Sequence, residues 1–425
     1  MRRMMENLSQ KHLISEPQLN LFADTDSLLP NEQFPGLIKY MGSKTKIIDY
    51  VVQGIDDVYN GGMVVDLFAG SGTLSGALRG QVPILSNDIQ SYSKILSGAY
   101  LAKLSYSKQE LDDILNKIQQ SAKEHAEYLQ TMIKKYDIDY SSINDLENFT
   151  NAENLQRSLI DFEFAENAEY YLFTKDYSGT YWSSRQCTWI DGFRKVAEEY
   201  KESDPDLFYI IMASLMFAMS YNSQSTGHYA QYRVAENERS MDDILIYRRK
   251  DISSFFIRKF IDLVNFSKAI PNSQNKVLTA LDFEACLFDL DEPATIYADP
   301  PYAFVHYSRF YHALETLVRY DYPEVLHKGR YRTDRHQSPF SIKTQAPAAF
   351  TRMFNLIRDK HSNLVLSYSN TGLISLDTIM EITRTSFGDQ YTVTLRNLEY
   401  RHSRMGRTGD KDVAVSEALI LAKRN

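Results

Sequence analysis

The sequence predicts an α/β fold: a sheet with helices on both faces, interrupted by a mostly helical insert. Three observations carry that expectation. Short apolar runs stop abruptly at glycine or an acid, as buried strands do when they enter tight turns. Met63-Val-Val-Asp-Leu-Phe68, set between Gly61-Gly62 and Gly70-Ser-Gly72, is the clearest. A central stretch, about residues 101–275, reads as helical instead. Strand-like runs then return at residues 294–298, 363–368, 390–398 and 415–422.

Taken in order, residues 1–33 mix polar residues with scattered Leu and Ile and show no sustained period, so a flexible or loosely docked arm is expected. The 63–68 strand leads through the glycines into a helix starting at Thr73. Val82-Pro-Ile-Leu-Ser-Asn-Asp88 is a second strand with an acid at its end. From Leu101 to Lys135, Leu111, Ile114, Leu115, Ile118, Ala122, Leu129 and Ile133 recur mostly at three- or four-residue steps, which marks an amphipathic helix. Residues 136–165 are polar and acidic and suit loops or short helices. Residues 184–201 and 205–220 suit two more helices. The second is apolar but shorter than the ~20 residues a membrane span needs. The expected organisation is therefore an arm (1–33), a sheet domain in two pieces (34–100 and 276–425) and a helical insert (101–275).

Composition narrows the class. Of the 425 residues, 43% are hydrophobic and 24% charged, which excludes a disordered, collagen-like or fibrous chain. The net charge of −8 and a pI near 5.7 argue against a generally basic nucleic-acid coat but leave room for a local basic face. There are 29 Tyr against 2 Trp, and rings with a polar tip suit cores, interfaces and base stacking alike. Cys187 and Cys286 make neither a disulfide framework nor a zinc site, so reduced thiols in a reducing compartment are expected. Met1-Arg-Arg-Met-Met-Glu6 has no apolar segment after it, so a signal peptide is not expected.

Two motifs carry chemistry. Asp66-Leu-Phe-Ala-Gly70-Ser-Gly72 sits at a strand end, where glycines let a ligand approach the backbone. Ser75 stands where the dinucleotide fingerprint has its third glycine, and the Gly-Lys-Ser/Thr of a phosphate loop is missing, so pyrophosphate is not favoured. Asp88 lies where parallel α/β folds place a ribose-binding carboxylate. A ribose without pyrophosphate but with an amino-acid head describes S-adenosylmethionine; a structural turn with Asp88 capping a helix is the alternative. The second motif is Asp299-Pro300-Pro301-Tyr302, straight after the apolar run 294–298. Two prolines stiffen the segment and remove two donors, leaving the Asp299 carboxylate and the Pro300 carbonyl as acceptors. Two acceptors match the two N–H groups of an exocyclic amine, and Tyr302 can stack on its ring. A base in a duplex reaches such a pocket only when flipped out. A rigid turn is the alternative.

Lys39-Tyr-Met-Gly-Ser-Lys44, Asp66–Gly72, Asp88, Asp282-Phe283 and Asp299–Tyr302 together resemble the Dam-like, D12 class (alpha group) of DNA adenine-N6 methyltransferases, in which the motifs run in this order. Weaker similarity continues through Ser367-Tyr-Ser-Asn370 and Glu399-Tyr-Arg-His-Ser-Arg404. The resemblance implies a Rossmann-like methyltransferase sheet whose helical insert recognises the target. Tyr40 (where the family often has Trp) and Lys44 would contact the methionine part of S-adenosylmethionine. Phe68, Gly70 and Gly72 would line the cofactor and Asp88 would bind its ribose. Asp282 and Phe283 would hold its adenine, and Asp299 and Tyr302 would be catalytic. No metal is implied. Tyr177–Gln186 and Ser225–Gln231 look like stretches seen in some of these enzymes, without an assigned role.

The basic residues cluster. His327-Lys-Gly-Arg-Tyr-Arg-Thr-Asp-Arg-His336 holds Lys328, Arg330, Arg332 and Arg335 against one acid; 248–250, 258–259 and 401–407 are further runs. Such segments suit phosphate contact, and the 327–336 segment is expected on the backbone of double-stranded DNA. The expected product is a DNA adenine-N6 methyltransferase of a prokaryotic or phage cytoplasm, alongside a restriction or defence system. N4-cytosine methylation shares the amine chemistry and stays open, as do an RNA substrate and a catalytically dead DNA-binding protein. A nicotinamide-dependent dehydrogenase is disfavoured by the missing third glycine.

Overall fold

The computed structural model describes residues 27–31, 33–225, 228–302, 307–401 and 414–425. Seven strands, numbered within their sheet, form its centre: β1 (Val64–Asp66), β2 (Ile84–Asn87), β3 (Lys276–Thr279), β4 (Thr295–Ala298), β5 (Asn363–Ser369), β6 (Tyr391–Arg401) and β7 (Ala414–Arg424). Their spatial order is β3-β2-β1-β4-β5-β7-β6. The first five run parallel, and β7 runs antiparallel to both β5 and β6. Val65 of β1 lies between Leu85 of β2 and Ile296 of β4, which sets the register at the centre.

Side chains alternate along each strand, so one run feeds two cores. Val64, Tyr297, Val365 and Leu419 pack with the helices Ile48–Val58 and Thr73–Ala77. Val65, Ile296, Leu364 and Ile420 face the other way, against Phe283–Phe288, Ala346–Asp359 and Leu376–Phe387. Both faces are thus covered, which explains why the inner strands read as unbroken apolar runs. In Ile48–Val58, the buried Ile48, Val51, Val52, Ile55 and Val58 fall at helical spacing.

The chain leaves the sheet after the helix Ser91–Leu101 and rejoins it at β3. Between them, Lys108–Met132 opens on a capping box made by Ser107 and Glu110. It packs on Ser184–Tyr200, which packs on Pro205–Asn222 and so on to Ile252–Ala269. Pro205–Asn222 is buried almost all round by these neighbours and by Ser91–Leu101, which accounts for its hydrophobicity. Among the described residues no helix is long and apolar enough to cross a membrane. The helical core also takes in Tyr92 and Ile95 of Ser91–Leu101, and Leu314 and Leu317 of His312–Arg319, so the insert and the sheet share a core.

Two differences from the sequence reading have physical causes. β3 has only two apolar residues, Val277 and Leu278, and shows no strand pattern because it is an edge. The end of the expected arm is docked: the Leu28 N–H donates to Asp56 Oδ1 (2.7 Å), and the Asn31 side chain donates to the carbonyls of Gly76 and Arg79. The rest of the arm, 1–26 and Glu32, lies outside the described residues. Both cysteines are buried and free, in agreement with the thiols expected from the sequence.

Candidate active site

The strand order reverses between β1 and β4, and in open α/β sheets ligands bind beyond the carboxyl ends of the strands at that switch point. A cavity of about 300 Å³ lies there. Segments after β1, β2, β3 and β4 line it, as do residues from 40 to 48 and from 336 to 340.

After β1 the chain turns on two glycines whose freedom is needed. Gly70 has φ +52°, and a Cβ there would meet the Tyr40 hydroxyl at 2.9 Å; Gly72 has φ +71°, and a Cβ would meet the Ser97 backbone nitrogen at 2.9 Å. Tyr40 itself stacks against both Tyr307 and Tyr311, with ring centroids 5.7 and 4.7 Å away. An aromatic wall stands on another side. Phe68 and Phe283 lie 6.2 Å apart, and both contact Phe340.

Acids complete the lining. Asp88 takes the Gly70 N–H on Oδ2 and the Gln90 N–H on Oδ1, each at 2.9 Å. Burial pushes its carboxyl up to about 6, against the pull of those two donors. Asp66 is buried at the end of β1. Burial first, then the nearby Asp299 and Asp88, raise its carboxyl well above the ordinary range, and its Oδ1 has no hydrogen-bond partner among the described residues. Asp282 caps the helix Phe283–Phe288 by accepting from the Glu284 and Ala285 N–H groups (2.9 and 3.1 Å).

At the end of β4 stands the Asp299-Pro300-Pro301-Tyr302 segment, with all four residues on the cavity. The Lys44 ammonium reaches Asp299 Oδ1 at 3.2 Å, donates to the Tyr302 hydroxyl at 3.3 Å and approaches Glu417 Oε2 at 3.5 Å. The Tyr302 hydroxyl donates to Glu417 Oε1 at 3.2 Å. Burial alone would lower the Lys44 pKa, but the charges of Asp299 and Glu417 hold it well above the ordinary value. Burial raises Asp299 to about 6, with Lys44 opposing the rise. The Tyr302 ring packs edge-on against Tyr368 (5.6 Å), and its backbone is held by the Leu373 N–H, which donates to the Tyr302 carbonyl (2.8 Å).

The chain matches the D12 class N6 adenine-specific DNA methyltransferases over residues 40–382. It belongs to that family. The sheet is the Rossmann-like methyltransferase fold. Among relatives, the chain is 26% identical to "Modification methylase LlaI" of Lactococcus lactis subsp. lactis, over 91% of this chain and 55% of that protein. It is 22% identical to "Modification methylase StsI" of Streptococcus sanguinis, over 91% and 52%. It is also 22% identical to "Type II methyltransferase M.NlaIII" of Neisseria lactamica, over 88% and 95%. The chain thus spans about half the length of LlaI and StsI and nearly all of M.NlaIII.

In this member of the D12 family the residues expected from the sequence to bind cofactor or act in catalysis converge: Tyr40, Lys44, Asp66, Phe68, Gly70, Asp88, Asp282, Phe283, Asp299, Pro300 and Tyr302 all line one cavity. Gly72 stands one step behind, shaping the turn. Lys44, expected at the methionine end of the cofactor, is held in the cluster with Asp299. Glu417 escapes sequence reasoning, because an acid in a strand normally marks its solvent side. A signal exists nonetheless: Glu417 is a lone charge directly before the apolar run 418–422.

The basic residues need correction. Arg330 is buried, with its guanidinium donating to the carbonyls of Asp176 and Arg157. Arg332 is 2% exposed and paired with Asp321 (2.6 and 2.8 Å) and Asp334 (3.1 Å). Both serve the interior, which leaves Lys328 and Arg335 as the exposed cations among these four, over the rings of Tyr232 and Tyr331. In the 248–250 run, Arg248 is likewise buried against Glu153 (2.8 and 2.7 Å). In the 401–407 run everything after Arg401 lies outside the described residues. Tyr177, Tyr181 and Trp182 are fully buried packing residues; Thr226 and Gly227 of the Ser225–Gln231 stretch are outside the described residues.

Proposed function

We propose that this chain transfers a methyl group from S-adenosylmethionine to N6 of an adenine flipped out of double-stranded DNA, at a specific site. One observation carries the reading. A carboxylate with little solvent, Asp299, follows the strand at the switch point and lines a cavity walled by aromatic rings and acids.

The lining suits the cofactor. Asp66 keeps an unpartnered buried oxygen, Asp88 has lone pairs beyond its two backbone donors, and Phe68, Phe283 and Phe340 form an apolar aromatic wall. Hydroxyls of a ribose match Asp88, a purine ring matches the Phe wall with its amino group toward Asp282, and positive charge matches the acidic set. When bound, S-adenosylmethionine supplies a methyl group on a positively charged sulfur that leaves readily. The protein then needs positioning and charge stabilisation. Asp299 and the Pro300 carbonyl accept the two amine hydrogens, Tyr302 holds the ring, and Asp299 offsets the charge that develops on nitrogen.

The insert, residues 101–275, is assigned target recognition, and Lys328 and Arg335 phosphate contact. The bacterial relatives named as modification methylases support a cytoplasmic, nucleoid-associated enzyme working beside a restriction system. The test is Asp299→Ala. It should abolish N6-methyladenine, read by nucleoside mass spectrometry, while S-adenosylmethionine still binds. Persisting N6-methyladenine from that variant refutes the assignment. N4-methylcytosine from the unmodified protein would redirect it to cytosine.

A further inference from the structure

Asp299 shares its ammonium with a second carboxylate that comes from the far end of the chain. Glu417 is 3% exposed, on β7, and lies 373 residues from Lys44 in sequence. Its two oxygens make different contacts: Oε2 faces the Lys44 ammonium at 3.5 Å, and Oε1 accepts from the Tyr302 hydroxyl at 3.2 Å. Lys44 in turn bridges Asp299 and Tyr302 at 3.2 and 3.3 Å. So one cation stands among two carboxylates and a phenol, all with little solvent.

The charge count matters. Lys44 and Asp299 alone would form a neutral pair, with the ammonium competing for the oxygens that must accept an incoming amine. A second carboxylate on the other side of the ammonium leaves the cluster with a net negative charge. That charge faces the place where nitrogen becomes positive. In a buried site such a fixed charge acts at low dielectric and needs no reorganisation. The Tyr302 hydroxyl, tied to Glu417, fixes the ring beside the same place.

We propose that Glu417 is a positioning residue for methyl transfer: it shares the Lys44 ammonium with Asp299, so that Asp299 keeps acceptor lone pairs free for the substrate amine, and it locks Tyr302. This rests on the methyl-transfer reading above. A bystander that only filled space in β7 would not need two polar contacts directed at two different members of the site.

Other ionisable groups face the cluster. Asp66 lies near Asp299, Tyr297 and Tyr307 also face Asp299, and Tyr50 lies near Glu417. Glu417 is one of the neighbours that push Asp299 upward. Removing its charge should therefore let Asp299 ionise at lower pH.

The experiment is single-turnover methylation of duplex DNA by the full chain carrying Glu417→Gln, across pH 5 to 8, with S-adenosylhomocysteine affinity measured alongside. The rate at neutral pH should fall roughly 10–100-fold, the range seen when one preorganised group is lost from an active site. Affinity should change less than about twofold, and the acidic limb of the rate profile should move to lower pH. An unchanged rate and limb overturn the proposal, as does affinity falling in step with rate. If Glu417→Gln does not fold, Glu417→Asp decides. It keeps the charge but withdraws it by one methylene, and should slow transfer with affinity and the acidic limb close to the original; full activity overturns the proposal. Failure of the unmodified chain to make N6-methyladenine would instead strike the reading on which this rests.

Discussion

The ribose contact proposed for Asp88 predicts that cofactor binding depends on pH, in a direction set by the carboxyl's surroundings. The carboxyl is half-buried just after β2, and the loss of solvent raises it to about 6. An ionised Asp88 can accept from ribose hydroxyls as well as from the Gly70 and Gln90 N–H groups. A protonated one has one oxygen converted to a donor. At pH 7 the group is mostly ionised; at pH 5, a unit below its pKa, about nine-tenths is protonated. Affinity for S-adenosylmethionine should therefore fall about tenfold from pH 7 to pH 5 through this group. The same logic gives the effect of Asp88→Asn. The amide oxygen can serve one backbone N–H, but the amide nitrogen cannot accept the other. A hydrogen bond to a charged acceptor contributes about 1.5–3 kcal/mol, so affinity should drop roughly 10–100-fold at pH 7. The variant should also lose most of the pH dependence between 5 and 7. Isothermal titration calorimetry at several pH values measures both effects. Equal affinity at pH 5 and 7, or an Asp88→Asn variant within twofold of the original, refutes the ribose assignment.

Other predictions follow from the same geometry. Charge reversal at Lys328 and Arg335 should weaken duplex binding and flatten its salt dependence, by a slope of about 0.9 for each phosphate no longer neutralised. Arg332→Met should leave that slope intact and lower stability, because Asp321 and Asp334 lose the inner of their two cations and keep only Arg319. Binding isotherms at several salt concentrations, with chemical denaturation beside them, separate the two cases. Arg248→Met leaves the Glu153 carboxylate buried without its bidentate partner and should cost about 3–5 kcal/mol in urea unfolding. Gly72→Ala forces a left-handed φ on a residue with a side chain and crowds Ser97; it should cost about 1–2 kcal/mol, again by urea unfolding, and weaken cofactor binding.

What the sequence by itself determined is local. A buried strand in a parallel sheet must be apolar on both faces, so β1, β2, β4 and β5 announced themselves as short apolar runs. The chemistry sits just beyond those runs, because the ends of parallel strands are where backbone meets ligand. Asp66–Gly72, Asp88 and Asp299–Tyr302 could therefore be read before any fold was known. The order of these motifs also carried the family. Tertiary structure alone decided what a charge does. Arg330, Arg332 and Arg248 look like surface cations in one dimension, yet carbonyls and carboxylates from distant segments bury them. Glu417 looks like the solvent side of a strand, yet β7 runs antiparallel between β5 and β6 and brings it to Lys44. The pairing of an acid with a base hundreds of residues away depends on strand order. Local pattern does not encode strand order, because hydrophobic periodicity reports which face is buried and is silent about what lies across from it.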